Sequence, residues 1–158
     1  MSRSVLFVCT GNTCRSPLAE AMARKLAADH RLNVIFSSAG TSAWQGSPAS
    51  DGSILVGLER SLDLSTHRAR ALTRELVDEA SLVLCMGAHH VAQAQALGGD
   101  GKAFLLADYA ARTATGRSIH DPFGEGLDAY RRMADDLDVE IPRAVSRLAD
   151  EAFDAGAS

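Results

Sequence analysis

Long apolar runs are missing from this chain of 158 residues. No stretch approaches the ~20 apolar residues that cross a bilayer, so no membrane partner is expected. The apolar segment near Met1, Val5-Leu6-Phe7-Val8, is too short for a secretory signal, and no small-residue cleavage site follows it. The expectation is a cytoplasmic protein. Cysteine is scarce: Cys9, Cys14 and Cys85 do not make the disulfide framework of a small secreted domain. Aromatic residues are only 5% of the chain, with Trp44 the one tryptophan. Excess positive charge is absent as well. Sixteen Lys and Arg against 20 Asp and Glu leave a net charge of −4 with no basic tail, which argues against a nucleic-acid partner. His30, His89 and His90 have no acidic or cysteine neighbours at metal-ligand spacing. They read as surface residues, and no metal is expected.

What is present fits a single domain over residues 1–158. Hydrophobic residues make up 46% and charged residues 23%, a composition that folds rather than stays disordered. A chain of this size buries roughly two-thirds of its unfolded surface. Four short apolar runs read as strands covered on both faces: Val5-Leu6-Phe7-Val8, Val34-Ile35-Phe36, Leu82-Val83-Leu84-Cys85-Met86 and Phe104-Leu105-Leu106. Helical spacing lies between them. Leu18, Ala21, Met22 and Leu26 form one stripe, and Ile54, Leu55, Leu58 and Leu62 a second. A third helix is expected from Ala88 to Leu97, ended by Gly98-Gly99. The last stretch carries Leu127, Tyr130, Ala134, Leu137, Ile141, Val145, Leu148 and Ala152 on one face, with Pro142 expected to kink it at a cost of about 3 kcal/mol. Strands alternating with helices predict parallel βαβ units. The fold class is therefore α/β, three layers, with a doubly wound parallel sheet and helices on both faces. Gly46-Ser47-Pro48 reads as a loop rather than a linker.

Open α/β sheets bind ligands beyond the carboxyl ends of their strands, so the loop after the first strand matters most. It reads Cys9-Thr10-Gly11-Asn12-Thr13-Cys14-Arg15-Ser16-Pro17. Ser16 suits the N-cap of the following helix and Pro17 its first position. Gly11 allows the turn to close, and Asn12 tolerates a left-handed conformation. Such a loop can turn its N–H groups inward around an anion, above the positive end of the helix. Arg15 can hold two phosphate oxygens at once. A free thiol is only a few per cent ionised at neutral pH, and the same field that binds phosphate favours the thiolate of Cys9. A lone cysteine here would read as core; the arginine six residues on, the glycine turn and the Ser-Pro step favour a nucleophile in a phosphate cradle.

The Cys-to-Arg-Ser-Pro loop directly after an N-terminal Val-Leu-Phe-Val strand resembles the low-molecular-weight protein tyrosine phosphatases. In family order follow Ser38-Ala39-Gly40-Thr41 with Trp44, then Leu64-Ser65-Thr66-His67-Arg68-Ala69-Arg70, then Leu82 to Met86, then Asp121-Pro122-Phe123. The resemblance implies a four-stranded parallel sheet, phosphorylated proteins as substrates, a phosphocysteine intermediate, no cofactor, and inorganic phosphate as product and inhibitor. It gives Asp121 the role of proton donor and then base, although an Asp-Pro alone reads as a turn. By the same resemblance Ser16 supports the Cys9 thiolate, Asn12, Ser38 and His67 hold the loop open, and residues 10–16 bind phosphate. Trp44 and Phe123 flank the substrate groove, and Cys14 forms a reversible disulfide with Cys9 that shields it from over-oxidation. Cys85 reads as core. Gly124-Glu125-Gly126-Leu127-Asp128-Ala129 mimics a dinucleotide fingerprint but follows a loop rather than a strand.

The substrate is the divided point. Thr13 and the Phe123-Gly124 pair look like the protein-arginine phosphatase branch, and a polar residue beside the cradle suits a guanidinium. Trp44 would stack on a phenyl phosphate. The balance leans to phosphoarginine over phosphotyrosine. Three other readings stand beside this one: an arsenate reductase of the same fold, which needs relay cysteines that Cys85 lacks among residues 86–97; a phosphocarrier, which has no use for Asp121; and a non-enzymatic flavodoxin-like binding module.

Overall fold

Val5 through Cys9 are all buried, which only a strand covered on both faces allows. The computed structural model describes residues 3–157, with side chains to Ala152; Met1, Ser2 and Ser158 lie outside the described residues. Strand β1 (Arg3–Cys9) is central, followed by α1 (Arg15–Asp29), β2 (Val34–Gly40), α2 (Asp51–Leu58) and α3 (Arg74–Glu79). Then come β3 (Leu82–Cys85), α4 (Ala88–Ala94), β4 (Ala103–Leu105), α5 (Leu106–Ala111) and α6 (Leu127–Ala157). The sheet is parallel, in the order β2-β1-β3-β4. Cys9 pairs with Gly40 on one side and Val8 with Cys85 on the other. The chain adds β2 on one side of β1 and then crosses to add β3 on the other. The crevice this leaves at the carboxyl ends of β1 and β3 is where a ligand fits such a sheet.

Side-chain alternation along β1 divides the core in two. Val5, Phe7 and Cys9 face the larger layer, built from α1, α2, α5 and α6, where Phe7 stacks on Phe36 at 5.9 Å. Leu6 and Val8 face the smaller layer with Val77, Ala94 and Ala103. The longest apolar stripe belongs to α6, whose Tyr130, Met133, Leu137, Ile141, Val145 and Leu148 are buried. Its expected ends are not, since Leu127 and Ala152 are exposed. The helix runs on through Pro142, which lies on the solvent side, where the carbonyl that proline cannot serve can meet water.

Several elements depart from expectation. In α2 the buried residues are Ser53, Val56 and Gly57, while Leu55 and Leu58 are 49% and 60% exposed and Leu62 lies past the helix end. Ile54 and Leu62 still pack on the core, but at Gly57 the helix lies too close for a larger side chain, since a Cβ there would stand 2.8 Å from Leu64 Cδ1. Leu106 opens α5 instead of closing β4. The expected third helix is α4 continued by one wide turn over Gln95–Gly99, broken where Gly98 takes a φ of 101°. No helix among the described residues is long and apolar enough to cross a membrane. Leu137 is fully buried in the larger core layer, on the helix that packs against α1. Leu137→Ala is expected to lower stability by about 3 kcal/mol, read as a lower urea midpoint at unchanged slope.

Candidate active site

β1 ends at Cys9 and α1 begins at Arg15, leaving five residues to turn the chain. Five carbonyls along this turn, those of Cys9, Thr10, Asn12, Thr13 and Cys14, point outward onto donors. Thr41 N–H binds the Cys9 carbonyl at 2.9 Å, Ser42 N–H that of Thr10 at 2.9 Å, and Ser50 N–H that of Thr13 at 2.9 Å. His67 Nε2 donates to the Asn12 carbonyl at 2.7 Å and Ser53 Oγ to that of Cys14 at 3.0 Å. A trans peptide sets its N–H opposite its C=O. With no cis bond in the described chain, the N–H groups of Thr10, Gly11, Thr13, Cys14 and Arg15 are turned the other way, into the loop. The first N–H groups of α1, which lack intrahelical partners, lie at the same place.

The Cys9 sulfur forms the floor of this ring. It is 2% exposed, accepts from Asn12 N–H at 3.3 Å, and lies 2.9 Å from Ser16 Oγ. This contact changes the expected helix start. Ser16 does not cap α1; Cys14 occupies the cap position without a side-chain capping bond, and Ser16 sits one residue inside the helix with its hydroxyl drawn to the sulfur and to Asn12. Pro17 then falls third, still within the turn whose N–H groups have no helical acceptor.

Asn12 holds the loop in shape. It is fully buried and left-handed, with φ 55°. Its Nδ2 donates to Ser16 Oγ at 2.8 Å and to Ser38 Oγ at 2.9 Å, and its Oδ1 accepts from Arg70 N–H at 3.0 Å. Ser38 passes its own proton to Glu20 Oε1 at 2.7 Å, and Glu20 pairs with Arg24 at 2.9 Å. Ser38 and His67 therefore stand behind the loop rather than in the pocket. Gly11 keeps a negative φ, so its role in the turn is not conformational.

In front of the loop opens a pocket of about 400 Å³, lined by Thr10, Thr13, Arg15, Trp44, Asp121 and Phe123 among others. Trp44 and Phe123 are 84% and 77% exposed, an aromatic pair at its mouth. Arg15 is buried to 4% exposure. Its Nη1 donates to the Ile119 carbonyl at 3.3 Å and its Nη2 lies 3.4 Å from Asp121 Oδ2. Asp121 is half-exposed, and its Oδ1 accepts from Phe123 N–H at 3.1 Å. Arg117 on the same loop binds the buried Glu140 at 2.8 Å. The arrangement offers a nucleophilic sulfur, a ring of donors for a tetrahedral anion, and a carboxyl above them.

The other expected positions divide. Cys85 is core, and burial pushes its thiol up to about 12. Cys14 is buried with its sulfur 3.3 Å from Ser50 Oγ and 3.5 Å from Tyr130 Oη, and all three cysteines are free thiols. His89 is exposed, but His90 is not the surface residue its sequence suggests: it is fully buried behind Thr10, with Nε2 2.8 Å from Thr10 Oγ1. Glu20, Ser42, Ser47, Tyr130 and His90 carried no motif. Glu20 looks like any acid on the surface of the following helix, and the others stand tens of residues from the loop, where no spacing signal betrays them.

The family model of the low molecular weight phosphotyrosine protein phosphatases matches residues 4–153. The chain belongs to that family. It is 37% identical over 146 residues to a protein-arginine-phosphatase of Bacillus subtilis (strain 168), covering 91% of this chain and 95% of that protein. It is 35% identical over 134 residues to the low molecular weight protein-tyrosine-phosphatase PtpB of Staphylococcus haemolyticus, covering 84% and 91%. A structure of the YwlE arginine phosphatase, a serine variant phosphorylated on its active-site serine, superposes with a TM-score of 0.85 at 34% identity, covering 92% of this chain and 95% of that one. The protein is thus a phosphatase of this family that acts on phosphorylated proteins through a phosphoenzyme of the phosphocysteine type.

Gly40 gives the loop geometry a direct test. A Cβ there would stand 2.4 Å from the Thr10 carbonyl oxygen and 2.9 Å from Asn12 N. Gly40→Ala must displace the phosphatase loop, and kcat/KM for an aryl phosphate is expected to fall about 100-fold while far-UV circular dichroism is unchanged.

Proposed function

We propose that Cys9, Arg15 and Asp121 carry out phosphoryl transfer in this pocket, with protein phosphoarginine as the preferred substrate. The carrying observation is the outward-facing set of carbonyls, which leaves a ring of N–H groups around one sulfur. The three non-bridging oxygens of a phosphoryl group would take up those N–H groups and the Arg15 guanidinium, presenting phosphorus to Cys9 Sγ. As the S–P bond forms, the bond to the leaving nitrogen or oxygen breaks, and protonated Asp121 gives its proton to that atom. Asp121 then takes a proton from the water that attacks phosphorus. The S–P bond breaks, Ser16 supports the departing thiolate, and inorganic phosphate, held by the same donors, is product and inhibitor.

Thr13 at the rim and Phe123 at the mouth support the guanidinium reading, as does the likeness to protein-arginine-phosphatases. Phosphotyrosine is the second reading, favoured by the exposed indole face of Trp44. An arsenate reductase relay is disfavoured, because Cys85 is buried in β3 with its thiol pushed up to about 12. Reversible Cys9–Cys14 disulfide formation under oxidant and a cytoplasmic location belong to the same proposal.

Two measurements test this reading. Measured with Cys9→Ser as the inactive blank, kcat/KM should be about ten-fold or more higher on phosphoarginine peptides than on phosphotyrosine peptides, and Thr13→Ile should reverse the order. A native preference for phosphotyrosine would sink the arginine assignment while leaving the phosphatase chemistry intact. Asp121→Asn should slow aryl phosphates with poor leaving groups by about 100-fold and good ones far less; equal slowing across the series would remove the proton-donor role.

A further inference from the structure

His90 is a fully buried histidine that the steps above do not use. It lies in the first turn of α4, just after β3, and its ring reaches across the switch point to the loop after β1. Its Nε2 is 2.8 Å from Thr10 Oγ1, while its Nδ1 has no partner. The same Thr10 oxygen accepts from Arg15 Nη2 at 3.5 Å, and Thr10 lines the pocket above Cys9.

Counting donors and acceptors fixes the tautomer. A guanidinium only donates, so Thr10 Oγ1 must accept from Arg15. If the Thr10 hydroxyl also gave its hydrogen to His90 Nε2, the ring proton would sit on Nδ1 as a buried N–H with nothing to bind. Orphaned buried donors are the rarer and costlier case. With the proton on Nε2, Nδ1 keeps only an idle lone pair, and Thr10 Oγ1 accepts from both His90 and Arg15. Its own hydroxyl hydrogen is then left to point into the pocket. Burial pushes His90 down to about 3, with exposed His89 and buried Arg15 adding to the effect and Asp121 opposing it, so the ring is neutral throughout the working range.

We infer that His90, as the neutral Nε2–H tautomer, is a positioning residue that orients the Thr10 hydroxyl to donate to an oxygen of the bound phosphoryl group beside Arg15. The inference rests on the phosphatase reading of the Cys9 pocket, and its test has an arm that needs no turnover.

That arm is nitrogen NMR of the full chain labelled in its histidine rings. The expected spectrum shows His90 protonated at Nε2 and bare at Nδ1 from about pH 5 to 8, with the Nε2 resonance shifting in Thr10→Val and on addition of inorganic phosphate. A proton on Nδ1, or titration of His90 within that range, overturns the inference whether or not the protein turns substrate over. The kinetic arm uses an aryl phosphate. His90→Phe and Thr10→Val should each lower kcat about ten-fold with KM nearly unchanged, and the double variant should be no slower than either. His90→Gln, whose amide nitrogen can replace Nε2, should regain most of the loss. Multiplying effects in the double variant, or a Gln variant as slow as Phe, would overturn the inference. An unmodified protein that binds phosphate without hydrolysing esters would refute the function instead.

Discussion

A single buried amide governs the shape of the anion site. Asn12 lies in a left-handed conformation at the tip of the loop, and its side chain makes three hydrogen bonds to Ser16, Ser38 and the Arg70 backbone. A buried amide with its polar atoms satisfied resists rotation, because any other rotamer strands donors away from water. Its position fixes which way the neighbouring peptide planes face, and so which groups surround the Cys9 sulfur. Catalysis by charge stabilisation depends on such dipoles being aimed before the substrate arrives.

The same requirement explains local choices that work against ordinary folding rules. A serine at the head of α1 would ordinarily cap it, yet Ser16 turns its hydroxyl to the sulfur and accepts from Asn12 Nδ2, and the cap position goes to Cys14 without a side-chain capping bond. The lost cap is of order 1 kcal/mol. Packing of α1 against β1 and α6 offsets it readily. Gly40 is needed for a comparable reason: it is the paired neighbour of Cys9 in the sheet, and any side chain there would press on the Thr10 carbonyl. The carboxyl over the pocket comes from elsewhere in the chain. Asp121 sits on the long connection into α6, which is anchored by Arg117 on Glu140 and by Ile119 N–H on the Met86 carbonyl. The Cys9 sulfur belongs to the sheet and the Asp121 carboxyl to a tethered loop.

The readable parts of this design are those whose partners are close in sequence. Cys9, Asn12, Arg15 and Ser16 lie within one turn of chain, so their types and spacing alone suggest an anion cradle. The apolar runs of β1 and β3 and the stripe of α6 were equally legible, because a period repeated over many residues survives local exceptions. What stayed hidden depends on distant contacts or on very short elements. Thr10 and His90 stand 80 residues apart, and nothing about an isolated histidine says that it turns inward. Glu20 looks like any helix-surface acid until Ser38 is seen beside it. Helices α3 and α5 have six residues each, too few for a period to show. In α2 the leucines misled: Leu55 and Leu58 are exposed, and contact with Leu64 leaves no room for a larger side chain at Gly57. Helix α6 taught the opposite lesson at Pro142, whose place on the solvent side lets the helix pass through it.

A crystal structure with vanadate bound tests the central claim, that the loop is already shaped for a tetrahedral phosphoryl group before one enters. The account predicts vanadium bonded to Cys9 Sγ, its equatorial oxygens on the loop N–H groups and the Arg15 guanidinium, with the backbone of residues 9–15 displaced by no more than about 0.5 Å. Vanadate held elsewhere, or a loop that must turn its peptide planes over to receive it, would contradict that claim.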